Sequence, residues 1–175
     1  GRETISGGMA LQPTETLTVS AAAPADPGGT SGDIVVRERD PDDSELNQHI
    51  SAFMNFDLSG IASFDPAAGD SAVFELYFQD QLNDVNPTPL YVAQVTGGAW
   101  DAGAPPQYNW ATDSPGSVGP GSQVRERVVM ENIQFAAPGS YAVDVTDIVD
   151  AWVNGGEPNY GLAVYVGDHF QGAGF

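Results

Sequence analysis

At 175 residues, with 21 glycines, 13 prolines and no cysteine, the chain has the length of one domain with a substantial core. Disulfide frameworks, Cys-ligated zinc and thiol nucleophiles are excluded. Twenty-four acidic residues stand against five basic ones, all arginines (Arg2, Arg37, Arg39, Arg125 and Arg127), for a formal charge of −19. That balance argues against nucleic acid or an anionic membrane as a partner, since both need a cationic face. It suits high salt, bound divalent cations or a harsh extracellular setting, or simply solubility through acidic loops.

Residues 1–15 lack periodicity and read as an N-terminal arm, packed on its own domain or on a neighbouring subunit. Residues 16–175 read as a single domain. Leu17 to Ala21 is a plausible first strand, followed by a Pro/Gly loop from Pro24 to Gly32 and a second strand from Ile34 to Glu38. An acidic loop, Arg39 to Glu45, leads to a third strand, His49 to Phe56. After the Asp65-Pro66 turn comes Ser71 to Phe78, the most strand-like segment of the chain. A polar loop, Asp80 to Pro89, precedes the strand Leu90 to Val95. The glycine- and proline-rich region Thr96 to Ser122 carries Trp100 and Trp110, and a stretch of that length without regular structure often carries function. Strand character resumes from Val124 to Ile133.

The richest run is Ser140 to Val166. Tyr141, Val143 and Val145 alternate as in a half-buried strand. The period then changes, and Val145, Ile148, Val149, Trp152 and Val153 fall on one face of a helix over 145–154. Asp144 or Thr146 can cap its start, and Asn154-Gly155-Gly156 can end it. Gly161 to Val166 returns as an apolar strand, and Trp152 is expected to pack the short helix across the open end of a sheet. With this many short strands and one helix, the expected fold is an all-β, jelly-roll-like antiparallel β-sandwich. No apolar run approaches the roughly 18 residues of a membrane span. The chain opens on Gly1 rather than methionine, as a mature form after signal removal or an excised piece would.

The order of FMNFDLSGI (Phe53 to Ile61), SAVFELYF (Ser71 to Phe78), AWDAGAPPQYNWATDSP (Ala99 to Pro115) and YAVDVTDIVDAWVNGGEPNYGLAVYV (Tyr141 to Val166) resembles the DNRLRE-domain family. These are extracellular all-β modules of bacterial and archaeal surface proteins. The matches span most of residues 50–166; DVT-x-x-V-x-x-W followed by NYGLAV is their most specific part. The resemblance implies a jelly roll without catalytic residues, on the cell surface or secreted, with some relatives regarded as carbohydrate-binding and others as adhesive. Two departures stand out. Lysines suited to a polyanionic glycan are missing, and the chain stops at Gln171 to Phe175, where the family continues into a last strand. A sandwich lacking that strand would leave a sheet edge to be covered or paired with another chain. Met9, Leu11, Leu17, Val19 and Phe175 are accordingly the candidate assembly residues, with Met9 to Ala22 as the strand supplied in cis or in trans.

For an enzyme, neither histidine (His49, His169) accompanies a nucleophile motif, and carboxylates are plentiful without a pattern. The expectation is therefore a non-catalytic protein that requires no cofactor. Calcium is the metal the chain would take, because hard cations use clustered loop oxygens. One candidate loop holds Asp40, Asp42, Asp43 and Glu45; the other holds Asp80, Asn83, Asp84 and Asn86; each reads first as a solvated acidic turn and second as a calcium loop. Trp100, Tyr108 and Trp110 are candidate glycan contacts, although Trp100 and Trp110 read first as plugs of the sandwich ends, which leaves Tyr108 the more open ring. Three functions follow in order: a secreted structural subunit of a filament, sheath or surface layer, self-assembling as a homopolymer through its arm or an edge strand; a carbohydrate-binding or adhesion module with a polysaccharide partner; and, last, a glycan-active enzyme.

Overall fold

The computed structural model describes residues 9–20, 23–27, 35–38, 50–78, 80–81, 88–101, 103–104, 124–133, 139–166 and 171–174. Eleven strands occur among them: β1 (Pro13–Ser20), β2 (Ala23–Pro27), β3 (Val35–Glu38), β4 (Ile50–Phe56), β5 (Val73–Phe78), β6 (Asp80–Gln81), β7 (Thr88–Val95), β8 (Val124–Ile133), β9 (Gly139–Asp144), β10 (Leu162–Val166) and β11 (Gln171–Gly174). Among the described residues a single α-helix, α1 (Thr146–Val153), joins β9 to β10. The pairings are antiparallel throughout. The chain is an all-β sandwich with one short α-helix among the described residues, as its alternation predicts.

The larger sheet runs β6-β11-β3-β4-β10-β7-β8, with β1 paired to β4 and β2 paired to β1. The smaller one is the β5–β9 pair. β5 ends at Phe78 and β6 begins at Asp80, so one stretch of chain serves the small sheet first and the large sheet next. Three short strands depart from the expectations. β2 falls inside the expected Pro/Gly loop, where it turns back on β1 at Val19↔Pro27 and Ser20↔Ala23. β6 lies in the expected polar loop, and β11 stands where no strand was expected, between β3 and β6. Such short segments carry too few residues to show a period, and their pairing comes from long-range neighbours.

Period-2 alternation decides which side chain goes where. Leu17↔Phe53, Phe53↔Ala163 and Ala163↔Ala93 are successive cross-strand pairs, so a row of four fully buried residues crosses β1, β4, β10 and β7. With Val95 and Trp100 they form one core cluster, against which Tyr91 and Tyr160 pack. The intervening residues face the other way. Ala52, Met54, Val92, Leu162 and Val164 meet Phe74 and Leu76 of β5, Val143 of β9, and Val145, Ile148 and Val149 at α1. The middle of the large sheet is thus buried on both faces, and its strands read as near-continuous apolar runs.

Helix α1 is held from outside its own ends. Val145 is the N-cap and offers no side-chain cap; Asp144 Oδ1 instead accepts from the Thr146 N–H at 2.9 Å. The Thr146 hydroxyl, expected as a possible cap, accepts from Ala72 N at 3.0 Å and ties the helix to the chain before β5. At the other end Asn154 keeps helical φ and ψ, and the left-handed residue is Gly156, at φ +70°. Trp152 is half-buried against the first core, with its indole N–H buried and without a partner among the described residues.

Gly161, just before β10, has φ +85°, and a Cβ there would collide with the Met54 carbonyl oxygen and come within 2.9 Å of Asn55 Oδ1. Gly161→Ala should therefore lower unfolding free energy by more than about 2 kcal/mol, since it combines a left-handed backbone with a steric clash. Denaturant titration checks this; a loss below about 0.5 kcal/mol would mean that β10 can shift away from β4 at little cost.

Candidate functional site

Several acidic side chains build turns among the described residues. Asp57 Oδ1 accepts from Ser59 N at 2.9 Å, and Asp65 Oδ1 from Ala67 N at 3.1 Å, opening a one-turn 3₁₀ helix. Asp70 reaches back to Asp65 N at 2.8 Å. Asp101 Oδ1 accepts from both Gly103 N and Ala104 N at 2.8 Å. Each case is a short carboxylate adding a side-chain bond to a turn, and the Asp65 and Asp101 turns are also closed by backbone bonds. Glu157 Oε2 accepts from Nε2 of the buried Gln94 at 2.7 Å, tying the segment after α1 to β7.

The sequence-derived metal loops mostly lie outside the described residues: Asp40, Asp42, Asp43, Glu45, Asn83, Asp84 and Asn86 all do. Asp80 is within them, as the first residue of β6, opposite Gly174 of β11. Among the described residues, no three His, Cys, Asp or Glu side chains converge as a metal site. No helix among them is long and apolar enough to cross a membrane.

Of the aromatic candidates, Tyr108 and Trp110 also lie outside the described residues. Trp100 is only 7 % exposed; it packs edge-on against Phe53 at 5.9 Å, and its indole N–H donates to the Tyr160 carbonyl at 2.7 Å. A ring held this way anchors the start of the tryptophan loop onto the sheet, and it offers no free face on which a sugar could stack. Asn55 Nδ2 adds a longer bond to the Trp100 carbonyl at 3.4 Å.

The open aromatic is one that sequence reasoning passed over. On β5, Phe74 and Leu76 point into the core while Val73, Glu75 and Tyr77 are exposed, Tyr77 by 57 %. Their partners on β9 are Asp144, Ala142 and Ser140, also exposed. Tyr77 stands opposite a serine and diagonal to an alanine, so its neighbours across the strand are too small to cover the ring. Glu75 sits two residues away on the same face. The signal lay in the alternation of SAVFELYF, which assigns every second residue to solvent.

Among the assembly candidates, Met9 is 61 % exposed, Leu11 is half-buried and Leu17 is fully buried in the second core. Val19 lies in β1, between Ser51 on one side and Pro27 on the other. Phe175 lies outside the described residues. β1 pairs with β4 from Pro13 to Ser20, with a slip between Pro13 and Glu15. On its other side it meets β2 only at Val19 and Ser20, so from Pro13 to Thr18 that edge has no strand partner among the described residues.

No family model matches this chain, and no curated protein matches it either.

The carboxyls of Asp57 and Asp144 are held below the usual carboxylate range, by the hydroxyl of Ser59 or Thr146 first and by that residue's backbone N–H second. A depressed folded-state pKa stabilises the fold above the ordinary carboxylate pKa. That contribution is lost as pH falls through the lowered folded value. The thermal midpoint should hold near neutrality and fall as pH drops below about 4. Asp144→Ala should lower the midpoint at neutral pH and flatten the acid decline; a variant tracing the parental pH curve would show that the Asp144–Thr146 bond does not secure the helix start.

Proposed function

We propose that the chain is a non-catalytic structural module of an extracellular assembly, a subunit that joins copies of itself through its terminal strand and sheet edges. The observation that carries this reading is the use made of the N-terminal segment. β1 lies along the whole of β4 and buries Leu17 in the second core, yet over Pro13–Thr18 its far side has no strand partner among the described residues. An open edge is a template for another strand. The resemblance to DNRLRE surface modules agrees with such a role, and a rigid sheet buried on both faces suits a load-bearing unit. Secretion or cell-surface placement belongs to the same proposal.

Charge sets the conditions. Subunits of formal charge −19 repel one another unless salt or bound calcium screens them, and at physiological ionic strength screening extends over roughly 8 Å. Calcium in the acidic loops is part of this proposal as a screening ion, and the chain requires no other cofactor. Sedimentation velocity and negative-stain electron microscopy of the full chain, across sodium chloride and calcium chloride series, should show higher-order species growing with either salt. A chain that stays monomeric in every condition is not an assembly subunit.

A second reading, a glycan-binding or adhesive module, is favoured by the exposed Tyr77 with Glu75 beside it. An open ring can stack on the apolar face of a sugar while a carboxylate accepts its hydroxyls. The face carries negative charge, so the ligand would be a neutral polysaccharide rather than an acidic one. Affinity-gel retardation on neutral polysaccharides should be lost in Tyr77→Ala, whose exposed position predicts a stability change within about 0.5 kcal/mol. Retardation equal to the parent's would remove Tyr77 from the contact.

A further inference from the structure

We propose that Asn154-Gly155 is a spontaneous deamidation site that the folded end of α1 holds unreactive, and that its conversion undocks that end from the segment between β4 and β5.

The chemistry is intramolecular and needs only water. The Gly155 nitrogen, once its proton has passed to solvent base, attacks Asn154 Cγ. A C–N bond forms, the Cγ–Nδ2 bond breaks, and Nδ2 takes up a proton and leaves as ammonia. Water then opens the resulting five-membered imide at either carbonyl, which gives aspartate or isoaspartate. One water is consumed, one ammonia is released and one carboxylate is gained. Glycine in the following position permits this best, because it has no side chain to hinder the attacking nitrogen. Among the asparagines of the chain, only Asn154 is followed by glycine. The fold also imposes that glycine: a Cβ on Gly155 would stand 2.8 Å from the Ala151 carbonyl oxygen and 3.0 Å from its Cα.

Both partners of the reaction are held in the folded chain. The Gly155 N–H donates to the Asp150 carbonyl at 3.1 Å, so the nucleophile keeps its proton. Asn154 Nδ2 donates to the Phe64 carbonyl at 2.7 Å and to Asp150 Oδ1 at 2.6 Å, which uses both N–H groups of the amide that has to leave. The Asn154 backbone N–H bonds to the same Asp150 carbonyl at 2.8 Å, and the residue keeps helical φ and ψ. Swinging Cγ onto the Gly155 nitrogen breaks the side-chain bonds and releases the backbone one. Reaction therefore passes through an opened helix end, and its rate is scaled down by the population of that opening.

The product cannot close the end again. A carboxylate offers no N–H, so an oxygen would replace a donor that now stands between two acceptors, the Phe64 carbonyl and the Asp150 carboxylate. The new charge also lies four residues after Asp150 on the helix and at the helix C-terminus, and both placements are unfavourable for an anion.

The parental chain provides the first test without any substitution. Incubated at mildly alkaline pH in buffer and in denaturing guanidinium chloride, it is digested and read by peptide mass spectrometry for amide-to-acid conversion at Asn154. Conversion should be at least about tenfold slower in buffer than in denaturant. Equal rates in the two solvents, or no conversion in denaturant, overturns the proposal. Asp150→Ala removes one acceptor of the amide and leaves the Asn154-Gly155 backbone in place. In buffer its conversion should be roughly threefold faster or more, with the rate in denaturant unchanged. Circular dichroism melts show whether this variant retains its fold; a folded variant with the parental rate in buffer overturns protection by these bonds. Asn154→Asp carries the product side chain from the start, and its thermal midpoint should fall by about 2–4 °C. A midpoint equal to the parent's overturns the undocking.

Discussion

The two-sided burial of β4, β10 and β7 is the constraint on which the remainder of the molecule depends. A sheet with one wet face can place any polar residue outward, but here Phe53, Ala163 and Ala93 are as deeply buried as Ala52, Val164 and Val92 on the opposite face. Every residue in these rows must be apolar or paired. The exception shows the rule, because buried Gln94 meets Glu157 at 2.7 Å and thereby pins the segment leading back to β10. The same need for covering layers explains α1 on one side and Trp100 on the other. α1 is short and would not persist alone; it exists because Ile148 and Val149 close the first core. Trp100 does the matching task for the second, locked by its bond to the Tyr160 carbonyl and by its edge-on contact with Phe53.

The acidity of the chain has a different physical meaning once its carboxylates are located. A total of 24 acidic residues suggests an ion-binding surface, yet Asp57, Asp65, Asp70, Asp101 and Asp144 each accept backbone N–H groups at turns and at the helix start. A carboxylate is a stronger acceptor for such groups than a hydroxyl or amide. Loops made in this way are specified locally, which lets strands distant in sequence be joined without long apolar connections. The chain thus combines a large formal negative charge with Asp57 and Asp144 carboxylates that are stabilised at short range by their bonds to Ser59 and Thr146.

How much of this was legible in the sequence follows from how local each signal is. The alternation of SAVFELYF and YAVDV, and the change of period at Val145, carry their own strand and helix assignments, and those segments formed as expected. The helix start was legible only in part: Asp144 bonds to Thr146 N, but Thr146 turns its hydroxyl to Ala72, a residue 74 positions away. β2 and β11 were illegible because they are strands by virtue of their partners rather than their residues. Trp100 presented two uses that composition alone could not separate, a platform for a ligand or a plug for the sheet, and only its neighbours decide between them. Tyr77 was legible in principle, since the alternation of SAVFELYF puts Val73, Glu75 and Tyr77 on one face and Phe74 and Leu76 on the other.

The long-range and short-range forces on this molecule also bear on the edge of β1, which over Pro13–Thr18 has no strand partner among the described residues. Unpaired strand edges invite indiscriminate pairing, and proteins suppress it with charges, bulges or cover. β1 itself carries a single charge, Glu15, while the chain as a whole carries a formal charge of −19. Such repulsion weakens sharply once separation exceeds the screening length, whereas backbone hydrogen bonds along an edge act only at contact and depend little on salt. The two terms therefore respond differently to the same ions. In the proposed assembly, repulsion at low ionic strength would hold copies apart before strands could meet, and at high ionic strength it would recede. Association of that kind would depend on the medium without any moving part in the fold.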